Sequence, residues 1–201
     1  MMKRLFDMFL SSVGLLLSLP LWILFGLLIL IEDGWPIFYF QERVGKKGKI
    51  FKALKFRSMV KDAEKATGPV QAAENDPRVT KIGKILRNTA MDELPQLVNI
   101  FKGDMSFVGP RAIRPEELEV NGNPRVMKIE DIAGFDDRQS IKPGLTGWAQ
   151  IHLPKDARLE EKFKYDLLYA QKQSLWFDVK LIFLSFWVTF RGKWESREKK
   201  I

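Results

Sequence analysis

The sequence predicts a mostly helical α+β protein. An N-terminal re-entrant membrane helix (residues 1–34) leads into one domain (residues 35–201) on the cytoplasmic face, with a short β-hairpin and amphipathic interfacial helices. Three observations predict this. Leu5 to Ile31 is almost continuously apolar. Ile37 to Met59 reads as extended structure interrupted by the basic turn Gly45-Lys-Lys-Gly48. Further on, apolar residues recur at helical spacing in short segments.

Flanking charge decides how the first segment meets the membrane. About 27 residues at 1.5 Å each would cover the ~30 Å hydrocarbon core. A secretory signal fits poorly, because the run is long, carries Trp22 and lacks a clear small-residue cleavage site. Lys3 and Arg4 precede it, and Arg43, Lys46, Lys47, Lys49, Lys52 and Lys55 follow closely. Positive charge on both flanks places both on the cytoplasmic side. Pro20, with Ser18 nearby, is expected to break the helix near its middle and let it return.

The hairpin turns at Gly45 to Gly48, and Ala53, Lys55 and Arg57 share one face of its second arm. Gly-Lys-Lys-Gly-Lys lacks the Walker spacing and a following Ser or Thr, so it reads as a basic turn. Lys61 to Thr80, with Gly68-Pro69 and Asp76-Pro77, is a surface loop. Lys81 to Arg87 is a short basic helix that aims Arg87 at the acidic pair Asp92-Glu93.

That pair opens the most informative stretch. Pro95 belongs in the first turn of a helix. Asp92 is then expected as N-cap, followed by an apolar stripe of Leu94, Leu97, Val98 and Phe101 and a stop at Gly103. A rival start at Thr89 would put Pro95 in the helix interior, at a cost of roughly 3 kcal/mol. Asp92 has two readings: a cap only, or a nucleophile. An ionised Asp at a helix start can attack phosphorus, provided Mg²⁺ and cationic side chains offset the repulsion between anions. Glu93 is a hard oxygen ligand for that ion.

Beyond Arg111, Pro115 to Gln139 is expected as helical pieces and loops. Lys142 to Gln150 is a turn-rich segment whose glycines allow close approach to a ligand. Leu159 to Lys172 is an amphipathic helix with Phe163, Leu167 and Leu168 on one side. Leu175 to Trp194 is very apolar, with tryptophans and cations suited to the membrane interface.

Composition narrows the chemistry. The 201 residues suffice for one ordinary domain and carry a net charge of +8. That charge suits nucleic acid, an anionic membrane or a phosphorylated substrate without choosing among them. With no cysteine and a single histidine, His152, thiol catalysis and multi-histidine metal sites are excluded. Carboxylate, lysine and arginine chemistry remains.

These motifs resemble the small monotopic bacterial sugar transferases, the polyprenol-phosphate phosphoglycosyl transferases. The likeness covers nearly the whole chain and is strongest over Met91-Asp-Glu-Leu-Pro-Gln-Leu-Val-Asn-Ile-Phe-Lys-Gly-Asp-Met-Ser-Phe-Val-Gly-Pro-Arg111. Phe51 to Met59, Lys81 to Arg87, Lys142 to Gly147 and Tyr165-Asp166 support it. The resemblance implies that residues 35–201 form a catalytic domain at the inner membrane. It would move a phosphosugar from a UDP-sugar to polyprenol phosphate, with undecaprenyl phosphate the expected lipid. Asp92 would be the nucleophile and Glu93 the support for Mg²⁺. Lys55, Arg87, Arg111 and Lys142 would bind phosphate. No nucleic-acid partner is implied, and a homodimer is left open. Three positions depart from the family pattern: Ser18-Leu19-Pro20 displaces the serine of the helix break, Ala112 follows Gly-Pro-Arg, and Lys142 replaces an arginine. Two rivals remain: a membrane-anchored basic module binding anionic lipid or nucleic acid without catalysis, and direct single-step transfer.

Overall fold

A computed structural model of the chain describes residues 2–65, 76–115, 129–194, 196 and 198–201. Helix α1 (Met2–Asp33) leads into the antiparallel hairpin β1 (Phe38–Val44) and β2 (Ile50–Phe56). Helix α2 (Lys81–Asn88) is followed by a 3-10 helix (Met91–Gln96) and α3 (Leu97–Lys102). Strand β3 (Ser106–Val108) pairs in parallel with β4 (Gly144–Thr146), and α4 (Phe135–Gln139) lies between them in sequence. Helices α5 (Trp148–His152), α6 (Leu159–Lys172) and α7 (Leu175–Phe190) complete the chain. The mostly helical α+β expectation holds for the described residues. The inner parts of the expected loops, 66–75 and 116–128, lie outside them.

At 1.5 Å per residue, α1 is about 48 Å long. It is long and apolar enough to cross a membrane. Its outer face is apolar and exposed, through Leu5, Phe9, Leu16, Leu17, Ile23 and Leu27. Its inner face is bonded at both ends. Near the start, Lys3 Nζ reaches Asp178 Oδ2 at 2.5 Å. Arg4 donates to the carbonyls of Ile100 and Phe101 at 2.7 and 2.6 Å. These are carbonyls of the last turn of α3, where the helix dipole favours a cation. Asp7, which interrupts the apolar run, is buried and accepts from Ser106 Oγ and the Phe107 amide.

At the other end Glu32 accepts from the amides of Lys81 and Ile82, satisfying the first turn of α2. Asp33 pairs with Arg57 at 3.0 Å. Between these anchors, Trp22 and Phe25 pack on Phe38 and Phe56 of the hairpin. The helix continues through Pro20 instead of stopping there. Ser18 Oγ donates to the Leu15 carbonyl at 3.2 Å and accepts from Trp22 Nε1 at 3.1 Å. The displaced serine thus binds within its own helix.

The hairpin keeps its predicted turn, as a short 3-10 segment at Lys46–Gly48. Its two faces differ in role. Phe38 and Phe56 face α1, whereas Gln41, Arg43, Ala53 and Lys55 point the other way. The expected helix at 159–172 is α6, with Phe163 buried and Leu168 exposed. His152 is structural: its Nδ1 lies 2.9 Å from the Trp148 carbonyl.

The glycines of the 142–150 segment pack closely against the chain's own backbone. A Cβ on Gly144 would stand 2.1 Å from the Gly109 amide nitrogen, and one on Gly109 would stand 2.2 Å from the Lys142 carbonyl. This close approach lets β3 and β4 pair and brings Arg111 into a bridge with Gly144.

Candidate functional site

Helix α2 ends at Thr89, whose hydroxyl bonds back to the carbonyls of Ile85 and Leu86. It therefore does not cap the next helix. Ala90 follows in the left-handed region (φ 56°), a strained conformation for alanine that reverses the chain. The 3-10 helix starts at Met91, so Asp92 and Glu93 sit in its first turn and Asp92 is not the N-cap. Pro95 explains the tighter winding. It lacks an amide and would collide with an α-helical carbonyl, so regular α-helix starts only at Leu97.

This geometry presents the acidic pair to a cavity of about 520 Å³. Asp92 and Glu93 are both buried from bulk solvent and both line it. Lys55, Arg87 and Arg111 line it as well. Lys55, from the inner face of β2, places Nζ 2.6 Å from Glu93 Oε1. Arg111 Nη2 approaches the same oxygen at 3.3 Å. Burial alone would raise the Glu93 carboxyl, but Lys55, Arg111 and Arg43 hold it down at about 2. Burial pushes the Lys55 ammonium down, against the pull of Glu93 and Asp92.

Five expected residues therefore meet in one cavity. The sixth, Lys142, does not line it. Its charged surroundings are Arg4, Asp7, Lys46 and Asp104, at the start of α1.

Two arginines that the sequence did not single out hold this site from behind. Arg43 Nη1 donates to the Ala112 carbonyl at 2.6 Å and Nη2 to Gln41 Oε1. Arg138 Nη2 donates to the Arg111 carbonyl at 2.5 Å. Its Nε bonds Asp166 Oδ2 at 2.8 Å, and its guanidinium stacks 4.6 Å from the Phe163 ring. Consecutive carbonyls at Arg111 and Ala112 are thus fixed by two buried cations. Tyr165-Asp166 had stood out only as a sequence likeness. Its aspartate proves to be the counter-ion of Arg138.

Mg²⁺ is commonly held by one or two carboxylates together with substrate phosphates and water, without a full protein cage. Among the described residues no group of three or more His, Cys, Asp or Glu could hold a metal. An adjacent carboxylate pair in a roomy cationic cavity fits that manner of binding, with Glu93 the expected ligand.

Two carboxylates among lysine and arginine side chains, in a chain that also carries a membrane-length helix, define an anion-handling site. Comparison with known proteins names the family. Residues 1–192 match the model of the bacterial sugar transferases. The chain belongs to that family. It is 39% identical over 198 residues to the UDP-glucose:undecaprenyl-phosphate glucose-1-phosphate transferase of Escherichia coli (strain K12), covering 96% of this chain and 41% of that protein. The exopolysaccharide production protein ExoY of Rhizobium meliloti (strain 1021) is 37% identical over 197 residues, covering 91% of this chain and 83% of ExoY. The undecaprenyl-phosphate galactose phosphotransferase of Salmonella typhimurium is 36% identical over 204 residues, covering 94% of this chain and 40% of that protein. The chain thus spans less than half the length of the Escherichia and Salmonella relatives.

Proposed function

We propose that this chain transfers a sugar phosphate from a UDP-sugar to undecaprenyl phosphate through a covalent intermediate on Asp92. The single observation that carries this reading is the cationic cradle of Lys55 and Arg111 around Glu93, next to Asp92, in a cavity large enough for a nucleotide sugar. The Escherichia and Salmonella relatives named above are, by name, sugar phosphotransferases of undecaprenyl phosphate.

In the first step an Asp92 carboxylate oxygen attacks the sugar-linked phosphorus. The bond from that phosphorus to the bridging oxygen breaks, and UMP leaves with both electrons. In the second step a phosphate oxygen of the lipid attacks the same phosphorus, and the Asp92 carboxylate is released unchanged. Lys55, Arg87 and Arg111 stabilise the charge that builds on the transferring phosphate. Glu93 would hold Mg²⁺, which would supply further neutralisation of that charge.

The membrane helix, although it runs on through Pro20, fits the same scheme as an element whose two ends stay on one side of the membrane. Its first turn and its last turn both bond the domain that carries Asp92. A helix tied at both ends to one domain favours an arrangement with both ends on the cytoplasmic face of the inner membrane. The exposed apolar face would then rest in lipid, at the depth of the acceptor's phosphate.

The test uses purified protein, a UDP-sugar and Mg²⁺ without lipid acceptor. Near-stoichiometric UMP and a phosphosugar adduct on Asp92 by mass spectrometry are expected, and Asp92→Asn should show neither. UMP that appears only with acceptor would favour single-step transfer. No UMP from any donor, with or without acceptor, would leave an anchored lipid-binding module.

A further inference from the structure

The chemistry above leaves one polar cluster of the cavity unused. Glu64 accepts a hydrogen bond from Tyr39 Oη at 2.8 Å through Oε2, and its Oε1 lies 3.0 Å from Arg114 Nη2. All three side chains line the same cavity as Asp92 and Glu93.

Their placement repeats that of the reacting group. Tyr39 is the cross-strand partner of Lys55, so their Cβ atoms stand about 5 Å apart on one face of the hairpin. Arg114 follows Arg111 by three residues on the same segment. Lys55–Glu93–Arg111 and Tyr39–Glu64–Arg114 are therefore neighbouring groups of one build: a hairpin side chain, a carboxylate and an arginine.

We propose that Tyr39, Glu64 and Arg114 read a vicinal diol of the donor. This rests on the function proposed above and deepens it. The ligand of this cavity is a diphosphate, which a further carboxylate repels. Glu64 must therefore face a neutral part of the ligand, and the neutral parts of a UDP-sugar that carry adjacent hydroxyls are its ribose and its hexose. A carboxylate has about four lone-pair positions, and Tyr39 and Arg114 engage one oxygen each. Adjacent hydroxyls can donate to the carboxylate and accept from the guanidinium together. As a loop latch the group would be weak, since partly exposed ion pairs contribute little. A site built to bond a hydroxyl discriminates strongly against a donor that lacks or misplaces it.

With undecaprenyl phosphate present as acceptor, the experiment measures kcat and KM for UMP release from UDP-glucose, UDP-galactose and the 2′-deoxyuridine analogue of the better donor. The wild type, Glu64→Gln and Tyr39→Phe are compared, with melting temperatures recorded. The wild type should prefer one donor by about tenfold or more in at least one comparison. Glu64→Gln should bring that ratio within about threefold, chiefly through KM. Collapse of the glucose–galactose ratio assigns the hexose, and collapse of the 2′-deoxy ratio assigns the ribose. Tyr39→Phe, which removes a single oxygen, should move the same ratio in the same direction and serves if Glu64→Gln fails to fold. A wild type without preference overturns the inference. So does a variant that slows every donor equally. UMP release with an unmoved ratio sinks this inference alone, whereas no release from any donor by the wild type sinks the underlying function as well.

Discussion

Lys55 Nζ and Glu93 Oε1 lie 2.6 Å apart, both largely withdrawn from solvent, on elements 38 residues apart in sequence. A buried ion pair is costly to break from one side, because the partner is left charged and unpaired. Glu93→Gln or Lys55→Met alone should destabilise the fold by about 3–5 kcal/mol. The double variant should lose clearly less than the sum, giving a coupling of about 1–3 kcal/mol. Denaturant titration of the four proteins in detergent measures it, and simple additivity would mean that the pair is not energetically linked.

The same carboxylate sets an acid limit. Glu93 releases its proton at about 2 in the fold against 4.5 for the unperturbed group. Above about pH 4.5 its contribution to stability is fully present. As pH falls from there the unfolded chain takes up the proton first, so stability is lost progressively towards pH 2. The melting temperature of the wild type should drop more steeply over this window than that of Glu93→Gln. Parallel curves would show that the cations around Glu93 do not hold its proton off.

Local pattern announced the hairpin, α2, α6 and the acidic pair, because each follows from neighbours in sequence. What stayed hidden depends on distant partners. Arg43 and Arg138 act on the carbonyls of Ala112 and Arg111, 69 and 27 residues away, and no spacing rule marks a side chain that serves a remote carbonyl. Tyr39, Glu64 and Arg114 come from three separate segments. Asp7 interrupts the apolar run of α1, and it ties that helix to β3. The glycines of the 142–150 segment suggested a ligand because a close approach was legible, but its partner was not. The helix start was placed two residues too late, at Asp92 instead of Ala90, because the left-handed Ala90 has no signature in sequence.

Asp7 yields a third prediction. Its carboxylate satisfies Ser106 Oγ at 3.0 Å and the Phe107 amide at 3.1 Å in a buried setting. Asp7→Ala should leave both donors unpaired and cost about 1–3 kcal/mol. Asp7→Asn keeps an acceptor oxygen and should cost less. Limited proteolysis in detergent should show earlier cleavage between α1 and the rest of Asp7→Ala. Equal protection in all three proteins would mean that Lys3 and Arg4 suffice to hold the helix start.

A fourth prediction separates the two supports of Arg111. Gly144→Ala forces a Cβ to within 2.1 Å of the Gly109 amide nitrogen and 2.4 Å of the Thr146 carbonyl. Backbone on both sides cannot yield, so the β3–β4 pair should not form and the protein should express poorly or melt far below the wild type. Asp166→Asn is milder. Burial pushes the Asp166 carboxyl up against the pull of Arg138, and the amide keeps the shape while removing the charge that orients Arg138. The fold should survive, but the Arg111 backbone loses a fixed donor, and with it the alignment of the guanidinium beside Glu93. UDP-sugar KM should rise by about tenfold, as a displaced phosphate contact is felt in binding before it is felt in chemistry. A fall in kcat at constant KM would instead place Arg138 among the groups that act only in the transition state.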